Sequence, residues 1–229
     1  LQSQIFKIES EVKGYLKERG KMWEQEILQY RQRGLDRRAL DADPLNQLKR
    51  WMEEAQLEEP EAHAMALSTS ALSHQPSCRM VLVKKIDEQG LYFFSHYESR
   101  KGKEIASNAK VCGLFYWPRL ERQVVIEGAC QPISEEESDQ YFASRPIQSQ
   151  VATSVSCQGQ VIESRQWLLD RYQKGLERAA SGIKRPAWWG GYCLRPHRFE
   201  FWQGREYRLH DRFQYLLQDE NWKIQRLSP

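Results

Sequence analysis

CRMVLVKKIDEQGLYFFS, residues 78–95, holds two runs of β-forming residues around a short polar break. The first run carries Val81, Val83 and Ile86, and the second carries Leu91, Tyr92, Phe93 and Phe94. Asp87-Glu88-Gln89-Gly90 between them has the composition of a hairpin turn. The pattern predicts strands over 78–86 and 91–95, joined antiparallel.

Outward from this hairpin the same texture recurs over 64–69, 111–117 and 123–133, and again over 198–203, 207–217 and 222–226. Helical signals lie between the strands. Asp43 before Pro44 starts a helix to about residue 57, with Leu45, Leu48, Trp51, Met52 and Ala55 as its apolar stripe. Ser99 caps a short helix to 108, Ser134 with Glu137 forms a capping-box pattern for a helix toward Arg145, and another helix spans 162–180. Ile5, Ile8, Val12 and Leu16, then Trp23, Ile27 and Tyr30, predict one or two amphipathic helices in the first thirty residues. Antiparallel strands without regular βαβ alternation indicate an α+β domain built on a β-barrel or strongly curled sheet with peripheral helices. The simplest division is an N-terminal helical extension, 1–41, and one domain, 42–229.

Composition narrows the function classes. With 40% hydrophobic and 11% aromatic residues, the 229-residue chain can bury a core, and a net charge of +3 is too small to mark it as a general nucleic-acid binder. Cys78, Cys112, Cys130, Cys157 and Cys193 are odd in number and scattered, without a CxxC pair, so neither a disulfide framework nor a metal site is expected. A reducing, cytoplasmic setting fits. No run suits a bilayer span or a secretory signal, so no membrane partner is expected, although a start at Leu1 rather than Met leaves room for a removed leader.

Four local clusters ask for an anion. Arg79 and Lys84 bound an apolar strand; their opposite parity puts them on opposite faces, as in an ordinary buried strand with charged ends. Arg100 and Lys101 occupy the first turn of a predicted helix, where the helix dipole disfavours cations unless an anion joins them; a solvated basic turn is the plainer reading. Tyr141, Arg145 and Ser149 recur at intervals of four and would share a helical face if the chain stays helical through Pro146, offering a phosphate monoester three kinds of donor. The alternative is a helix end with Tyr141 in the core. In EFWQGREYRLHDRF, residues 200–213, Arg208, His210 and Arg212 alternate as on one strand face. A two-residue loop would pair Trp202 with Tyr207, and a three-residue loop would pair it with Arg208.

Ordered motifs then supply a resemblance: ADPL (42–45), RMVLVK (79–84), FFSHYESRKGKE (93–104), LERQVVIEG (120–128), YFASRPIQSQ (141–150), WWGGY (188–192), EFWQGREYRLHDR (200–212) and RLSP (226–229). The chain resembles the pyridoxamine 5′-phosphate oxidase family. The resemblance implies an FMN-binding split β-barrel and a homodimer with two FMN sites at the subunit interface. It implies oxidation of pyridoxine 5′-phosphate and pyridoxamine 5′-phosphate to pyridoxal 5′-phosphate, with O2 as acceptor, giving H2O2 and, from the amine, ammonia.

The resemblance also assigns residues. FMN positions match Arg79, Met80, Val81, Leu82, Val83, Lys84, Phe94, Ser95, Arg100, Lys101, Gln123, Gln158, Gly159, Trp202 and Arg212. Substrate positions match Lys84, Tyr141, Arg145, Ser149, Arg208, Leu209 and His210, with Tyr30 from the N-terminal segment, and Arg208 and His210 are the candidates nearest the reacting carbon. With these roles the three-residue loop is the favoured one. Two departures stand out: Gly159 replaces a common serine, and Ile27-Leu28-Gln29 does not reproduce the usual Arg-Arg-Glu before Tyr30. Competing readings are a related flavin enzyme on the same barrel, as in phenazine biosynthesis or haem use, and a non-catalytic carrier of FMN or pyridoxal phosphate.

Overall fold

The computed structural model describes residues 34–179 and 182–229. Its strands are β1 (Ala64–Ser70), β2 (Pro76–Ile86), β3 (Leu91–His96), β4 (Lys110–Trp117), β5 (Arg122–Pro132), β6 (Trp189–Gln203), β7 (Asp211–Gln218) and β8 (Asn221–Leu227). They hydrogen-bond in the order β3-β2-β1-β4-β5-β6-β7-β8, antiparallel throughout. A further pairing of β3 with β6 closes the first six of these neighbours into a barrel and leaves β7 and β8 as an extension.

β6 makes this closure possible because one edge of it serves two partners. Trp189–Leu194 pairs with β3, and Arg198–Gln203 pairs with β7, while β5 runs along the other edge. Pro196 falls between the two stretches, where a residue without an N–H costs no ladder bond, and the β5 register shifts between Glu127 and Gly128 beside it. The sequence pattern marks a strand only over 198–203. The first half of β6 reads as loop because of Gly190 and Gly191, yet both are packing glycines: a Cβ would strike the Tyr97 hydroxyl at Gly190 and the Ile133 side chain at Gly191.

The helices are α1 (Pro44–Glu58), α2 (Arg100–Ser107), α3 (Glu135–Ser144), α4 (Ile147–Val155) and α5 (Arg165–Arg178). Four begin at side-chain caps: Asp43 accepts from Leu45 N at 2.9 Å, Ser99 from Gly102 N at 3.4 Å, Ser134 from Glu137 N at 3.1 Å and Ser164 from Trp167 N at 3.0 Å. Each such cap stabilises its helix by about 1 kcal/mol. The stripe of α1 enters the barrel core, where Trp51 meets Phe201 edge-on at 5.1 Å beside Met65, Phe115, Phe199 and Phe213. Removing a buried aromatic of this kind costs about 3–5 kcal/mol. Among the described residues no helix is long and apolar enough to cross a membrane.

Residues 34–41 lie against β7: Leu35 N donates to Asp211 Oδ2 at 3.0 Å, and Tyr215 Oη donates to Asp41 O at 2.7 Å. The expected helices of the first thirty residues, with Tyr30, lie outside the described residues.

Candidate active site

β3 and α2 build a cationic cluster. Lys101, only 7% exposed, donates to Ser95 Oγ at 2.9 Å, Ser99 Oγ at 3.1 Å and Gln158 Oε1 at 2.9 Å. All three acceptors are neutral. Burial, and then the charge of Arg79, lowers the Lys101 pKa to about 8. Arg79 donates to Leu67 O at 3.1 Å and Thr69 Oγ1 at 2.5 Å, bonds Ser77, and pairs with Glu104 at 3.4 Å. Burial alone would raise the Glu104 pKa, but hydrogen bonds from Ser77, Thr69 and Arg100 hold it down to about 2. Arg79 and Arg100 thus share one carboxylate, and Lys101 beside them pairs with none among the described residues. The remaining positive charge suits a phosphate dianion.

Beside it stands an aromatic cluster. The Phe94 and Tyr141 rings stack at 3.7 Å, and Trp189 stacks on Phe94 at 5.5 Å and on Tyr141 at 6.3 Å. The Arg145 guanidinium lies 4.9 Å from the Trp189 ring centre and donates to Thr153 Oγ1 at 2.7 Å. Burial raises the Tyr141 pKa, so its phenol remains a neutral donor. Of the two readings of this run, the helix end holds and the continuous helical face does not form. Pro146 disfavours the helical conformation for the residue before it, so Arg145 is extended at ψ 149° and α4 begins afresh at Ile147. Tyr141 and Arg145 meet around Trp189 instead, and Ser149 sits half-buried on the first turn of α4.

A third group forms on β5, β6 and β7, where Trp202 pairs with Gln123 on one side and Arg212 on the other. Both expected loop lengths are corrected: residues 204–210 join β6 to β7. The run from 207 is not strand either. Glu206–Arg208 is a 3-10 turn with Tyr207 at φ 57° and Arg208 at φ 61°, so Arg208, His210 and Arg212 do not share a strand face. Non-glycine residues in the left-handed region are strained, and two in succession need outside support. His210 packs on Trp202 at 4.6 Å, tilted by 43°, and its Nδ1 accepts the Arg205 N–H at 3.1 Å. That bond assigns the remaining proton of the neutral ring to Nε2. Burial, then Arg208 and Arg212, lowers the His210 pKa and favours this neutral form.

The β2 run divides by parity. Val81 and Val83 are core residues, whereas Met80 is 59% and Leu82 38% exposed and Lys84 is exposed at a β-bulge. Side chains from only one of these sets can reach a given ligand. Gly159 is the third residue of a turn closed by Gln160 N to Cys157 O at 3.0 Å; its φ of 84° explains glycine where serine would be strained. Two contributors escaped the sequence reading: Glu104, which Arg100 four residues earlier on a helix signals, and Trp189, which has no distinguishing local signal.

β6 also sets the separation of these groups. Phe94 is opposite Gly191, and Trp202 lies eleven residues further along β6, up to about 36 Å away at the usual strand rise. The two groups therefore sit on opposite halves of the strand, one on each side of Pro196.

Residues 52–178 match the family model "Pyridoxamine 5'-phosphate oxidase", and 189–229 match "Pyridoxine 5'-phosphate oxidase C-terminal dimerisation region". The chain is 47% identical over 203 residues to a pyridoxine/pyridoxamine 5'-phosphate oxidase of Nostoc sp., covering 87% of this chain and 95% of that protein. It is 48% identical over 206 residues to the protein of that name from Rippkaea orientalis, covering 88% and 96%. Among solved structures, PhzG from Burkholderia lata, in complex with tetrahydrophenazine-1-carboxylic acid, matches with TM-score 0.82 and 30% identity, over 86% of this chain and 99% of that one.

Proposed function

The chain belongs to the pyridoxamine 5′-phosphate oxidase family, and from that premise we propose that it oxidises pyridoxine 5′-phosphate and pyridoxamine 5′-phosphate to pyridoxal 5′-phosphate, using FMN and O2. The observation that carries the site assignment is the buried Lys101 ammonium, which among the described residues is held by neutral oxygens beside Arg79. A buried cation without its own carboxylate favours binding an anion. The donors fit the phosphate of FMN, while Gln123, Trp202 and Arg212 offer polar and aromatic contacts to its ring. FMN, when bound, supplies the two-electron acceptor that is reoxidised by O2 to give H2O2.

The chain's own residues bind and orient. Arg145, with Tyr141 and Ser149, would hold the substrate phosphate, and Lys84 would reach it from the bulge of β2. Arg208 and the Nε2–H of His210 would face the alcohol or amine end, positioning the C4′ hydrogen that leaves. Loss of that hydride and a proton turns the alcohol into the aldehyde; the amine gives an imine, which water hydrolyses to aldehyde and ammonia. No covalent nucleophile is needed.

The separation along β6 supports a homodimer in which the β3–α2 side of one protomer meets the β6–β7 side of its partner, giving two equivalent sites. The matched C-terminal dimerisation region supports the same assembly. We place the enzyme in the cytoplasm, consistent with five free cysteines.

The test is aerobic turnover of pyridoxine 5′-phosphate by protein supplied with FMN, following pyridoxal phosphate and H2O2 together. Equal formation of the two products is expected. Bound flavin without turnover would favour a carrier or another substrate.

A further inference from the structure

We propose that Asp211 is a positioning residue that clamps the strained turn bearing Arg208 and His210, tying it to the segment at Leu35 and to β8. The inference rests on the oxidase reading for its consequence, but the clamp itself is geometric.

Asp211 opens β7 one residue after His210, and three parts of the chain converge on its carboxylate. Oδ2 accepts the Leu35 N–H at 3.0 Å and lies 3.6 Å from Arg205 Nε, while Oδ1 pairs with Arg226 at 2.5 Å. Arg226 also donates to Leu35 O at 3.4 Å and lies 4.3 Å over the Phe213 ring. The Arg205 guanidinium is in close packing distance of Gly34. Asp211 thus gathers two guanidiniums and a backbone amide that would otherwise repel or lose a partner.

The turn needs such support. Tyr207 and Arg208 are both left-handed, at φ 57° and 61°. Arg205 provides the N–H that fixes His210 Nδ1, so holding the Arg205 side chain at Asp211 also holds the acceptor bond that sets which imidazole nitrogen bears the proton. Asp211 is therefore placed to influence Arg208 and His210 without joining the catalytic contacts.

The experiment compares FMN-loaded wild type with Asp211→Asn, Arg205→Gln and the double variant. Asparagine retains an acceptor for Leu35 but removes the charge. FMN dissociation constants should stay within about twofold, while anaerobic flavin reduction by pyridoxine 5′-phosphate slows about tenfold or more in each single variant, and the double variant is no worse than the poorer single because coupled residues are not additive. Amide exchange over 34–40 and 204–210 should quicken in Asp211→Asn without substrate.

Unchanged exchange overturns the clamp, and an unchanged reduction rate overturns its role in positioning. Parallel loss of FMN binding overturns the separation from cofactor binding. Arg205→Gln leaves Leu35 and Arg226 on Asp211, so its rate decides the matter if Asp211→Asn fails to fold. Quickened exchange with no flavin reduction in the wild type would sink the oxidase reading and the positioning role while leaving the clamp.

Discussion

Trp202 and Arg212 are direct register partners across β6 and β7, and Arg212 directs its guanidinium back to Glu200 at 2.8 Å. The indole therefore stands beside a fixed cation. Arg212→Ala should weaken FMN binding about 10- to 100-fold, the loss expected for one charge-assisted hydrogen bond. Glu200 would retain Arg198 at 3.2 Å, so the fold should survive. Titration of flavin fluorescence measures the change, and an unaltered dissociation constant would remove Arg212 from the flavin contacts.

Arg145 and Arg208 should separate binding from chemistry. Arg145→Ala removes a contact to the phosphate, remote from the reacting carbon, and should raise KM about tenfold or more with kcat nearly kept. Arg208→Ala should also lower kcat. Steady-state kinetics at saturating FMN decides this; changes confined to KM in both variants would show that Arg208 does not act on the hydride step.

Lys101 gives FMN affinity a pH dependence. Its ammonium begins to lose its proton near pH 8, whereas a phosphate monoester is already largely dianionic there. Bound phosphate favours the charged amine, so binding takes up a proton above pH 8 and affinity should fall by up to about tenfold per pH unit. Dissociation constants between pH 7 and 9.5 test this, with Lys101→Met as the control that flattens the profile.

Glu104 controls stability in acid. Its folded pKa, about 2, lies below the ordinary 4.5, so its contribution is present above 4.5 and is lost as pH falls through 2. Glu104→Gln should cost on the order of 3 kcal/mol at pH 7, from 1.36 kcal/mol per pKa unit, with the difference shrinking toward pH 2. Urea melts of both proteins across that range measure it. A pH-independent difference would assign the loss to packing.

The barrel was legible wherever one local signal dominated. Runs of β formers marked β1 to β5 and β8, and Asp43, Ser99 and Ser134 announced helices because a cap is a local hydrogen bond. The first half of β6 was hidden because Gly190 and Gly191 answer to Tyr97 and Ile133, which are remote in sequence. Arg208, His210 and Arg212 mimicked a strand through spacing alone; two left-handed residues broke the pattern. Of the candidate site, Arg79 and Arg100 stood out in the sequence as cations, but their shared dependence on Glu104 emerged only when β1, β2 and α2 came together.

The bifurcated edge of β6 has a consequence for inheritance of damage. In the proposed dimer, the stretch before Pro196 supports one pocket and the stretch after it supports the other. A substitution that straightens or breaks the strand at Pro196 would then impair both pockets from a single subunit. A mixed dimer with one damaged and one intact chain would contain no wholly normal site, so such a lesion would be dominant over its partner.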